Sequence, residues 1–171
     1  MDGRKIRRLT VTALLLAINI IMSMSIFSIP VPGGHMYLND LIICTAAILL
    51  EPFYAFAVGG LGAFLGDMFF YPTPMFVSLV THGLQAVIIS LCTRRLLRGN
   101  RRGASVIGAV LGLIITVAGY TFGRAYIYGT VEYAIIKFPY QVLQTAVGEA
   151  LALFLCWKLK LVEIYEKYFD I

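Results

Sequence analysis

Ser78, His82 and Gln85 fall at i, i+4 and i+7 within one apolar run, so on a helix they share a face. Tyr120, Arg124 and Tyr128 repeat at i, i+4 and i+8 in the next run, and Tyr140, Gln141 and Gln144 cluster at the start of the last. Phenol and imidazole rings offer π faces, while amides, hydroxyls and a guanidinium offer donors and acceptors. This mixture suits a small planar polar ligand whose ring stacks and whose heteroatoms are hydrogen-bonded. The same residues would also serve as interhelical hydrogen-bonding groups and an interfacial aromatic belt.

Three carboxylates lie in or beside apolar runs, where burial of a charge is costly: Asp40, Asp67 and Glu149. Asn39 and Asp40 also read as a helix cap and first-turn acid. Asp67 fits either a pairing with a neighbouring helix or a ligand contact. Glu149 falls near mid-membrane and needs a partner that spacing alone does not identify. Cys44, Cys92 and Cys156 are widely separated in apolar surroundings and read as small buried hydrophobes. With His35 and His82 the only histidines, no metal site is expected. The sequence contains no P-loop, no H-E-x-x-H and no G-x-S-x-G, so neither an enzyme nor a resident cofactor is expected.

The elements that position these residues follow from composition. Of 171 residues, 60% are hydrophobic and 13% charged, against about 25% charged in soluble domains. A bilayer accommodates such a chain only as helices or a closed barrel. Residues 106–118 are continuously apolar, without the alternation of barrel strands, which points to an all-α membrane protein. Six segments are expected to span as one domain over residues 1–171: 9–29, 39–50, 53–70, 75–97, 105–128 and 139–161. Pro30 and Pro32, Glu51-Pro52, and Tyr71-Pro72-Thr73-Pro74 separate the first four. The N-terminal run is longer than a signal-peptide core and lacks an A-x-A-like site, so it reads as a retained helix.

Basic residues gather in three places: Arg4, Lys5, Arg7 and Arg8; Arg94, Arg95, Arg98, Arg101 and Arg102; and Lys158, Lys160 and Lys167. An even number of spans puts all three on one side, which the positive-inside rule makes cytoplasmic, with both termini. The net charge of +5 then reflects topology and anionic lipid, and nucleic-acid binding is not expected. Segments 30–38, 71–74 and 129–138 fall on the outer side.

Several elements occur in an order that resembles the substrate-binding S component of an energy-coupling factor (ECF) vitamin transporter. They are a basic N-terminus with Ala13-x-x-x-Ala17, GGHMYLND at residues 33–40, and a small-residue third segment (Gly59, Gly62, Ala63) ending at Gly66-Asp67. Pro74 eight residues before His82-Gly83, then Pro139, Gln144 and Gly148, complete the set. The likeness is greatest to the branch with riboflavin, hydroxymethylpyrimidine and vitamin B6-type components; where that branch often has Lys before the glycine of the fourth segment, this chain has His82. The resemblance implies a six-helix protein of the prokaryotic plasma membrane that binds a micronutrient from outside. Delivery inward would use a membrane T component and two cytoplasmic ATPases, which consume the ATP. Ala13 and Ala17 would form the docking face for the T component. By depth and helix face, the substrate-binding candidates are His35, Tyr37, Asn39, Asp67, Ser78, His82, Gln85, Arg124, Tyr128, Tyr140, Gln141 and Gln144. A vitamin B6 vitamer or hydroxymethylpyrimidine is the favoured ligand. The alternatives are a ligand-free scaffold of a cell-envelope complex and an intramembrane enzyme using Asp67, His82 and Glu149.

Overall fold

The computed structural model describes residues 3–24, 28–97 and 99–169. Apolar runs broken by proline give a helical bundle: α1 (Gly3–Met22), α2 (Asn39–Leu49), α3 (Pro52–Phe70), α4 (Met75–Arg95), α5 (Arg101–Tyr126), α6 (Val131–Leu153) and a terminal α7 (Leu161–Phe169). Between α1 and α2 an antiparallel hairpin pairs β1 (Ile29–Val31) with β2 (Gly34–Met36). Among the described residues three helices are long and apolar enough to cross a bilayer alone: α3, α4 and α5. A fourth span results if α6, extended through a π turn to Lys158, and α7 count as one, bent by 58°. At 11 residues and about 1.5 Å of rise each, α2 is shorter than the hydrocarbon core.

Four sequence expectations are corrected. Helix α1 begins at Gly3 and ends at Met22 rather than occupying 9–29; Ile29 belongs to a strand, and residues 25–27 lie outside the described residues, as does Arg98. The expected outer loop at 129–138 is mostly helix, because Thr130 caps α6 by accepting the Tyr133 amide proton. Pro139 therefore lies inside that helix and does not open it. Finally, α7 was not expected at all; it follows Lys160, whose φ of 58° ends the preceding helix.

Small residues set the packing around α3. A Cβ on Gly62 would lie 2.6 Å from Asn19 Nδ2, and one on Gly66 2.6 Å from Ser23 Oγ, so α1 packs directly on its backbone. Residues Ala57–Leu61 form a π turn, which disturbs the regular carbonyl pairing. Asn19 Nδ2 donates to the Val58 carbonyl there at 2.8 Å. On its other side α3 meets α4, where Gly59 and Gly60 admit the carbonyls of His82 and Leu79.

The apolar core lies around the C-terminal half of α2. Ile43, Cys44, Ala46, Ala47, Ile48 and Leu50 are almost wholly enclosed by α1, α3, α4, α6 and α7. The buried carbonyls at the end of α2 are satisfied from α4: Arg94 Nη2 donates to Leu49 at 2.8 Å and Ser90 Oγ to Leu50 at 2.7 Å. The basic regions meet at this same end. Arg7 donates to the Tyr168 carbonyl, Arg8 pairs with Glu51, and Arg101 pairs with Glu166. The start of α1, the α4–α5 connection and the C-terminal helix are thus on one face of the bundle, opposite the hairpin.

Candidate functional site

Beneath the hairpin, walled by α2, α3, α4, α5 and α6 and by Ser23 just past the end of α1, lies a cavity of about 410 Å³. That is the size of a small-molecule site. Nine of the sequence-derived candidates line it: His35, Tyr37, Asn39, Asp67, His82, Arg124, Tyr128, Gln141 and Gln144. Ser78 and Gln85 stand one layer behind, and Tyr140, half-buried on α6, is outside the lining.

The hairpin is fixed over the cavity from α6. Lys137 Nζ donates to the His35 carbonyl at 2.6 Å, and the Tyr37 amide donates to Gln144 Oε1 at 3.0 Å. Its corner is Pro32-Gly33, with Gly33 at φ +80° and Gly34 at +122°, conformations that glycine reaches without strain. Burial, then the charge of Asp67, raises the Tyr37 phenol above its ordinary pKa; burial, then Tyr133, does the same for Tyr71. Both rim phenols are therefore neutral hydrogen-bonding groups at physiological pH.

Behind the cavity wall, hydrogen bonds converge on Asp40, which is fully buried. Gln85 Nε2 donates to Asp40 Oδ1 at 2.9 Å and to Glu149 Oε1 at 3.0 Å. Gln144 Nε2 and Thr145 Oγ1 reach Asp40 Oδ2 at 3.2 and 3.4 Å. Gln141 Nε2 donates to Thr145, and Arg124 Nη2 to Gln141 Oε1 at 2.6 Å. The Gln85 amide nitrogen thus faces Asp40 and Glu149, and its Oε1 stands 2.7 Å from His82 Nδ1. The partner of Glu149 is Gln85. A second relay joins Tyr120, Ser78 and Asp67, in which Ser78 Oγ donates to the carboxylate and stands 2.5 Å from the phenol oxygen.

Sequence reasoning places Asp40 in the first turn of α2, where it lies, but does not reveal the hydrogen bonds from α4 and α6 that converge on it. The sequence-derived candidates leave out Ser23, Tyr71, Tyr120, Tyr133 and Lys137, all of which line the cavity. Tyr120 belongs to the Tyr120–Arg124–Tyr128 stripe already noted as suited to a ligand, and Tyr133 and Lys137 lie in the segment expected on the outer side, where a loop gives no helix face. Among the described residues no cluster of three or more His, Cys, Asp and Glu side chains has metal-holding geometry.

A family model described as "ECF-type riboflavin transporter, S component" matches residues 3–161, nearly the whole chain. The chain belongs to this family. It is also 31% identical over 122 residues, 70% of its own length and 80% of the relative's, to an uncharacterized protein in the gap 3′ region of Pyrococcus woesei. An S component is a membrane-embedded binding subunit of a transporter rather than an enzyme. What matters in such a subunit is how it encloses a solute. In this one the relays under the cavity hold His82, Asp67 and Gln141 in fixed orientations, so little side-chain freedom remains to be lost on binding.

Proposed function

We propose that this S component binds a small heteroaromatic vitamin or precursor, a vitamin B6 vitamer or hydroxymethylpyrimidine being favoured over a riboflavin-sized ligand. The observation that carries the reading is the enclosed cavity, where Tyr37, Tyr120 and Tyr128 supply ring faces and His82, Gln141, Gln144 and Asp67 supply polar contacts. Ser78 and Gln85 act on the ligand through Asp67 and His82. The gathering of basic residues opposite the hairpin supports six crossings, counting α1, α2 and the bent C-terminal pair, with both termini cytoplasmic. The cavity then opens to the outside of a prokaryotic plasma membrane. Mass spectrometry of the detergent-purified chain tests this: a co-purified pyridine or pyrimidine is expected, and a tightly held non-aromatic solute would overturn it.

Delivery inward is proposed to use the T component and two ATPases, with α1 as the docking element. Ala13 and Ala17 lie exposed on α1 beside Leu14, so no other part of the described chain occupies that face. Replacing both by Leu should leave ligand affinity unchanged and abolish cellular uptake. Normal uptake would remove this face from the interface.

A further inference from the structure

The two side-chain cations of the cavity are bonded only to neutral acceptors. Arg124 donates to the amide oxygen of Gln141, and Lys137 to the backbone carbonyl of His35. Among the described residues neither has a carboxylate within ion-pair distance. Arg124 is only 6% exposed, its guanidinium lies 5.1 Å from the Tyr120 ring centroid, and its Nε and Nη1 have no hydrogen-bond partner among the described residues. The acids nearby are engaged elsewhere: Asp67 by Ser78, Asp40 by Gln85, Gln144 and Thr145, and Glu149 by Gln85.

A buried guanidinium without a counter-charge is costly in a low-dielectric site, and most costly within a membrane. Elsewhere in this chain the corresponding groups are provided for: Arg8 and Arg101 have carboxylates, and Arg94 has two helix-end carbonyls. The exception is the arginine that faces the cavity. We infer that the ligand is an aromatic heterocycle carrying an anionic oxygen group, a carboxylate or a phosphate, seated against Arg124 with Lys137 as the second cation. Nη1 and the remaining Nη2 proton present the planar fork that matches such a group. Tyr120, held over the guanidinium, offers its other contacts to the ring. The inference rests on the heteroaromatic reading above and narrows it from neutral to anionic ligands.

Calorimetric titration of the full chain in detergent with three matched pairs tests it: nicotinamide and nicotinate, pyridoxine and pyridoxine 5′-phosphate, riboflavin and flavin mononucleotide. In at least one pair the anionic member should bind about 100-fold more tightly, the scale of a buried charge-assisted contact. A preference confined to nicotinate identifies a carboxylate; one confined to the phosphate esters identifies a phosphate. Arg124→Gln should erase the preference and Arg124→Lys should retain only part of it, because a lysine keeps the charge but not the fork, with thermal melting confirming that each variant is folded. If neutral members bind as well as or better than their anionic partners in the wild type, the inference is wrong while the heteroaromatic reading survives. A preference that persists in folded Arg124→Gln also overturns it. If none of the six probes binds, the inference fails, while the heteroaromatic reading stands or falls on the mass spectrometry described above.

Discussion

The two ends of the bundle solve the burial of polar groups in opposite ways. At the end opposite the hairpin, Arg94 is spent on the carbonyls that terminate α2, and Arg8 and Arg101 hold carboxylates. Around them Ile43, Ile48 and Leu50 fill the core, and the smaller cavity at this end, about 270 Å³, is lined by Arg94, Arg101 and Glu166, which already have partners. At the hairpin end the polar groups surround an opening of about 410 Å³, and Arg124 retains unpartnered nitrogens. Internally satisfied polar groups hold a structure together, whereas unsatisfied ones beside a cavity are positioned for something else to complete them. The relay centred on Asp40 forms the boundary, since it supports the cavity floor from within the packed region.

The sharpest way to break that boundary is Gln85→Leu. One amide holds Asp40, Glu149 and His82 together, and a leucine leaves two buried carboxyl groups without their shared donor. We expect a loss of about 3–5 kcal/mol in stability, read as a lowered denaturation midpoint in detergent, together with loss of ligand binding. A variant that kept both properties would show that the relay supports neither end.

Ile48→Ala probes the packed end alone. Ile48 is fully buried and remote from the cavity lining, so truncation removes contacts without touching a polar group. A destabilisation of about 2–4 kcal/mol is expected, with the affinity of the folded fraction unchanged. Were affinity to fall by more than the unfolded fraction accounts for, the two ends would be coupled through the core, and the distinction drawn above would not hold.

This division also explains what was legible in the sequence. Stripes at helical spacing placed His82, Arg124 and Gln144 on the cavity because helix faces are set by local periodicity, and α2 to α5 lie close to their expected bounds. Asp40 is a first-turn acid, as its position suggests, but that local explanation hides its further role, which depends on α4 and α6, distant in sequence. The start of α6 was missed because Pro139 is a strong local stop signal, and the Thr130 cap upstream overrides it. Likewise the hairpin rests on two glycines and on hydrogen bonds to α6, while α7 is a short helix held by Val162 and Tyr165 in the core and by the Arg101–Glu166 pair, contacts distant in sequence.

The smallest expected effect comes from Gly33→Ala, and it sharpens the comparison by asking whether the hairpin belongs to the fold or to the site. There is room for the methyl group: the added Cβ would approach Tyr133 and Ile136 no closer than 3.4 Å. The difficulty is the backbone, because φ of +80° costs an L-residue about 1–2 kcal/mol. The hairpin contributes few residues to the buried core, so this strain should relax by loosening its hold on Lys137 and Gln144, leaving the melting temperature of the bundle nearly unchanged. Loss of closure appears in the off-rate, which should rise about fivefold to tenfold for the heterocycle found by mass spectrometry. An unchanged off-rate would mean that the solute is held by the helices alone. A fall in melting temperature comparable to that of Ile48→Ala would instead make the hairpin part of the packed structure, and the contrast between the two ends would have to be redrawn.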